Sequence, residues 1–110
     1  MAGMDEVRKR TEEGFRVLRE AAERIAFTVE REAKIGRKYL EIRRLKKEME
    51  KVYSEMGAFV YEAILAKKAI EAEDPFLKDR VSLIERMRSE IARLEEEIRE
   101  MRLGEIGRET

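Results

Sequence analysis

Residues 71–77 read EAEDPFL, and this short interruption decides the fold. Asp74 can accept the free N–H groups at a helix start, and Pro75 sits at the first helical position, where its missing N–H costs nothing. A new helix therefore begins here. Upstream, Ile42, Leu45, Met49, Val52, Met56, Phe59, Ala63, Ala66 and Ile70 fall at alternating steps of three and four. That 3.5-residue period belongs to a left-handed coiled coil. Downstream, Leu77, Ile84, Met87, Ile91, Leu94, Ile98 and Met101 form a second seam, with Val81 beside it and Arg80 at its one charged position. A connection of a few residues forces the second helix back along the first. Residues 40–103 thus read as an antiparallel coiled-coil hairpin with its turn at 72–75 and arms about 40 Å long. Leu103-Gly104 resembles a left-handed helix stop, which leaves 104–110 as a flexible tail.

Residues 4–39 read as an N-terminal helical arm. Its stripe is Val7, Phe15, Leu18, Ala22, Ile25 and Val29, widened by Ala21, Ala26 and Phe27. Pairs four apart, such as Glu12 with Arg16 and Glu20 with Arg24, each add ~0.3 kcal/mol to the helix. Lys34-Ile35-Gly36 resembles a helix end, yet Arg37-Lys38-Tyr39 offers no cap for a new start, and Gly inside a helix costs only about 1 kcal/mol relative to Ala. Two all-α architectures follow within one helical domain, 1–110. In the preferred one a single helix over residues 4–72, about 100 Å long, carries the hairpin arm on its C-terminal half. Its N-terminal half then finds partners in other chains. In the alternative the chain turns near Gly36 and closes a monomeric three-helix bundle. Gly14, Gly36 and Gly57 recur about every three heptads, which suggests close approach of a neighbouring backbone.

The stretch GAFVYEAILA, residues 57–66, holds one charge in a chain that is 45% charged. Phe and β-branched residues favour strand, but the seam runs through with helical spacing. On that frame Val60, Tyr61, Ile64 and Leu65 point away from the partner helix. Burying a large apolar side chain contributes roughly 1.5–3 kcal/mol, and soluble monomers avoid exposing several together. Phe59, Val60, Tyr61, Ile64 and Leu65 are therefore the expected self-association residues, covered when hairpins pack into a multi-chain bundle.

Acidic and basic side chains cancel at 25 each, so no global field draws the molecule to nucleic acid or anionic lipid. Cys, His, Trp, Asn and Gln are absent, which excludes disulfides, thiolate metal sites and His or Cys catalysis. Ser54, Ser82 and Ser89 have no usual basic partner. The carboxylates sit on heavily charged helices, where a solvated role outweighs a catalytic one. A di-metal carboxylate bundle needs His beside inward Glu, and each Gly stands outside any phosphate-binding loop. The expectation is a non-enzyme without cofactor, metal or small-molecule substrate. MAGMDEVRKR lacks the apolar core of a signal peptide, and no window approaches the roughly 20 apolar residues of a membrane span, which points to the cytoplasm.

Lys34, Arg37, Lys38, Arg43, Arg44, Lys46 and Lys47 crowd around Glu41 and form a possible anion-binding strip. Antiparallel geometry favours a different use, pairing with Glu90, Glu95, Glu96, Glu97 and Glu100 on the returning helix. The arm segment FRVLREAAERIAFTVER could lie on a lipid surface, but its glutamates nearly neutralise its arginines. A partner helix is preferred there.

The line IGRKYLEIRRLKKEMEKVYSEMGAFVYE, residues 35–62, resembles the helical part of small uncharacterised bacterial coiled-coil proteins that often carry a zinc ribbon. The matching positions are Ile42, Leu45, Glu48, Met49, Tyr53, Met56, Gly57 and Tyr61, about a quarter of the chain. The resemblance implies a coiled coil; a metal role is void because every ribbon Cys is missing. Together these readings describe a homo-oligomeric scaffold or adaptor engaging other proteins through helical surfaces. The alternative is a peripheral binder of lipid or nucleic acid through residues 8–47. The missing thermolabile residues beside abundant Glu, Arg and Lys also suggest a chain from a hot environment. A circular-dichroism melt is expected to centre above the roughly 45–65 °C of mesophile domains; a midpoint inside that range removes the inference.

Overall fold

The computed structural model describes the backbone of residues 2–109 and the side chains of residues 3–104. Two helices make up the described residues, with no strand among them: α1, Ala2–Leu65, and α2, Pro75–Glu109. Contacts gather into two compact units, Met1–Lys34 and Ile35–Thr110. The second unit is an antiparallel hairpin formed by residues 35–65 of α1 and by α2.

The hairpin core is a single cluster in which Ile35, Ile42, Leu45 and Val52 from α1 meet Ile84, Met87, Ile91, Leu94 and Ile98 from α2. Met49, Met56, Leu83 and Met101 pack against it, half-buried. Of the expected seam, Ile42, Leu45, Met49, Val52, Met56, Ile84, Met87, Ile91, Leu94 and Ile98 all belong to this assembly. Ile35, expected at a helix end, is instead the most buried side chain, at 1% exposure. It stands one heptad before Ile42, so the seam starts earlier than the stretch beginning at Ile42. Lys38 occupies the position between them and hides the period from an apolar count.

Three contacts fix the register. Phe59 stacks on Phe76 with ring centroids 5.0 Å apart. Lys38 donates a 2.6 Å hydrogen bond to Glu97, and Arg80 lies 2.7 Å from Glu55. The residue numbers in each pair add to the same total, as a straight antiparallel alignment requires. The aromatic stack lies next to the turn, Arg80–Glu55 follows one turn of helix further along, and Lys38–Glu97 lies toward the open end.

α1 stops at Leu65, seven residues before the expected boundary near 72. In this register the start of α2 at Pro75 lies opposite residue 60, so Ala66 and Ile70 have nothing on α2 to pack against. Their apolar spacing continues in sequence but meets no partner, and Ile70 is exposed. The stop itself is a paired cap: the Lys68 N–H bonds to the Ala63 carbonyl at 2.9 Å and the Lys67 N–H to the Ile64 carbonyl at 3.1 Å. This is the Schellman pattern, which places one residue in the left-handed region. That residue is Lys67, with φ of 56°. The start of α2 follows the sequence reading: Asp74 Oδ1 accepts from the Phe76 N–H at 2.9 Å and the Leu77 N–H at 3.4 Å.

The glycines depart from expectation. Gly36 is helical, so the turn of the three-helix alternative does not form. Nothing lies within 4 Å of a Cβ placed on Gly14, Gly36 or Gly57, so no neighbouring backbone within the chain approaches them. Gly104 does not end α2, whose backbone stays helical through Glu109. An interior glycine weakens a helix by about 1 kcal/mol, which the long α2 tolerates. Of the expected tail 104–110, residue 110 lies outside the described residues.

Two substitutions at the connection are expected to move stability in opposite directions. Lys67→Gly relieves the left-handed strain and raises unfolding free energy by roughly 1 kcal/mol. Asp74→Ala removes the cap and lowers it by about 1 kcal/mol. Urea titration followed by circular dichroism measures both; an unchanged midpoint for either contradicts the assigned cap.

Candidate interaction surface

A heptad frame built on Ile35, Ile42, Met49, Met56 and Ala63 divides the hairpin into two edges. On one edge Glu41, Glu48, Glu55 and Glu62 recur every seven residues. Glu41 and Glu48 both pair with Arg44, while Glu55 meets Arg80 across the hairpin. On α2, Arg93 pairs with Glu90 and Glu97, and Arg99 with Glu96. Sequence reading missed this acidic ladder, although its seven-residue spacing was available.

These ion pairs set the protonation chemistry. The hydrogen bond from Lys38 is the largest influence on Glu97 and holds its carboxyl below the usual range; partial burial opposes this, and the charge of Arg93 reinforces it. Glu41, Glu90 and Glu96 are lowered in the same way, first by hydrogen bonds from Arg44, Arg93 and Arg99. Glu41 pushes Glu90 slightly the other way, as two like charges on facing helices do.

The opposite edge carries Tyr39, Lys46, Tyr53 and Val60, also seven apart. Here Tyr39, Lys46, Glu95, Arg99 and Arg102 line an open groove of about 460 Å³ floored by Ile42 and Ile98. Val81 lies two heptads before Glu95 and so shares this edge near the turn. The result is an apolar patch. Tyr61, Ile64 and Leu65 are 63%, 63% and 66% exposed, Tyr53 and Val81 are about half exposed, and Val60 is half-buried. Of the five expected self-association residues, Phe59 is engaged inside the hairpin by its stack on Phe76, Val60 and Ile64 lie along this edge, and Tyr61 and Leu65 face outward on the side of α1 away from α2. Arg80 caps the stack, its guanidinium 4.6 Å from the Phe76 ring centre. Arg80 Nε approaches Glu55 without its N–H aimed for a hydrogen bond, so this contact is one of charge.

Two residues of the basic strip are already paired with carboxylates. Lys38 is tied to Glu97 and Arg44 to Glu41 and Glu48. Of the cross-helix pairings expected with Glu90, Glu95, Glu96, Glu97 and Glu100, only Lys38–Glu97 is seen among the described residues; Glu90 and Glu96 pair along their own helix. Among the described residues, no cluster of Asp and Glu is placed to hold a metal ion, and no helix is long and apolar enough to cross a membrane.

The positions behind the coiled-coil resemblance divide by face: Ile42 and Leu45 are buried, Met49 and Met56 half-buried, and Tyr53 and Tyr61 outward. No protein-family model, curated protein or solved structure matches the chain.

A carboxyl with a lowered folded-state pKa stabilises the fold above its unfolded pKa, and that contribution is lost as pH falls through the folded value. The melting midpoint is therefore expected to drop as pH goes below the ordinary glutamate value of 4.5. Lys38→Met is expected to make the drop shallower by releasing Glu97 in part. An identical pH profile for wild type and variant contradicts the Lys38–Glu97 assignment.

Proposed function

We propose that the chain is a non-enzymatic helical scaffold that assembles with copies of itself through the Tyr53, Val60, Ile64 and Val81 edge, leaving its charged surfaces to engage other proteins. The observation that carries this reading is the exposure of Tyr61, Ile64 and Leu65 beside half-buried Val60. One returning helix hides one stripe, and this patch lies outside it. Contact with a second hairpin along this edge removes Val60 and Ile64 from water, brings Tyr61 to its rim and builds a four-helix bundle. The ion pairs of Lys38 and Arg44 match two of the seven strip cations with carboxylates, which weakens the case for phosphate or lipid binding there.

Light scattering at several protein concentrations tests the proposal. The expected mass is a whole multiple of 13.0 kDa, two or more. It should persist in about 1 M salt, where surface ion pairs are screened and apolar contacts are not. Val60→Glu with Ile64→Glu is expected to reduce the assembly while leaving the circular-dichroism spectrum helical. A wild-type mass of 13.0 kDa at every concentration would falsify the scaffold reading.

A further inference from the structure

The first unit carries a second apolar surface, separate from the hairpin edge. Phe15, Leu18, Ile25 and Val29 are 66%, 68%, 64% and 63% exposed on one face of α1. They form two columns at heptad spacing: Leu18 and Ile25 in one, Phe15, Ala22 and Val29 in the other. Extending each column by seven residues reaches a charge of opposite sign, Glu32 at the end of the first and Arg8 at the start of the second. Both charges stand twelve residues from Glu20.

That symmetry selects the occupant. We infer that this stripe pairs with the same stripe of a second copy, antiparallel and centred on residue 20. The inference extends the scaffold reading and rests on it for the existence of an assembly. In this arrangement Phe15 faces the second copy's Ile25, Leu18 faces its Ala22, and Arg8 faces its Glu32, each contact occurring twice about the two-fold axis. A two-fold interface must be self-complementary, and the charge order along this stripe is so. Parallel pairing in register instead sets Arg8 against Arg8 and Glu32 against Glu32, like charge on like charge. Arg19 approaches its mate near the axis, but on the solvated flank where salt screens the repulsion.

Lipid and nucleic acid fit less well. Acidic and basic residues balance over 1–34, and glutamates interleave the arginines around the helix, as in the Arg24–Glu20 pair. An interfacial helix or a phosphate binder presents a predominantly basic polar face. The hairpin already shows the same device, with Lys38 and Arg80 at seam positions each answered by a glutamate of the facing helix.

Charge exchange in the full chain tests the pairing. Arg8→Glu alone and Glu32→Arg alone each turn two attractions into two repulsions and are expected to weaken association roughly tenfold by sedimentation. The double variant Arg8→Glu/Glu32→Arg restores it. The native chain has no Cys, so Arg10→Cys carries a single spin label. Antiparallel pairing sets two labels about 30 Å apart along the axis, while parallel pairing holds them within roughly 20 Å. A short distance, or a double variant as weak as the singles, overturns the inference and leaves the hairpin-edge scaffold standing. Association that survives Val60→Glu with Ile64→Glu but follows the charge exchange supports this stripe and counts against the hairpin edge. A monomeric wild type removes both.

Discussion

One helix packed along another hides a single stripe of side chains, and that limit governs the rest of the molecule. α1 is 64 residues long and α2 is 35, so α2 can serve only part of α1. Where it does so, a continuous core forms from Ile35 to Val52 on one side and from Ile84 to Ile98 on the other. From Met4 to Val29, α1 keeps its large apolar side chains exposed. A helix gains little from intrinsic propensity alone and draws most of its stability from burying an apolar face. The exposed faces of α1 are therefore the part of the molecule that remains energetically incomplete.

Register depends on a few residues that interrupt the grease. Lys38 and Arg80 occupy seam positions, where an unanswered charge costs stability; each meets a glutamate on the facing helix while its head stays partly in water. Partial exposure limits the desolvation cost that makes fully buried ion pairs a poor source of stability. Their contribution is to match the charges that the seam carries. A slip by one heptad breaks the Phe59–Phe76 stack, whereas in one direction the heptad-spaced glutamates offer Lys38 and Arg80 new partners, Glu90 and Glu48; the aromatic stack therefore separates registers that the ion pairs alone would not. The connection suits this register: α1 closes with a left-handed Lys67, and α2 opens on the Asp74 side chain just where the aromatic stack begins.

The period of the apolar residues and the Asp74-Pro75 start were enough to read the hairpin from sequence. Features set by the facing helix were not legible. The end of α1 at Leu65 depends on where α2 begins to oppose it, and the apolar spacing through Ala66 and Ile70 gives no sign of this. Ile35 escaped because Gly36 beside it suggested a stop and Lys38 broke the count of apolar positions. Gly104 misled in the same way, since a glycine that can end a helix can also be carried inside one. The outward direction of Tyr61, Ile64 and Leu65 was legible from the heptad frame. The acidic ladder at Glu41, Glu48, Glu55 and Glu62 was present in the spacing and went unread because charges were counted by region rather than by face.

The most direct test asks whether α1 is protected from solvent by other copies of the chain. Amide hydrogen exchange resolved across residues 4–29 should slow as protein concentration rises, while the hairpin core around Leu45 and Leu94 stays protected throughout. Rapid exchange in residues 4–29 that does not change with concentration, alongside a protected hairpin, would mean that this face of α1 remains wet in solution.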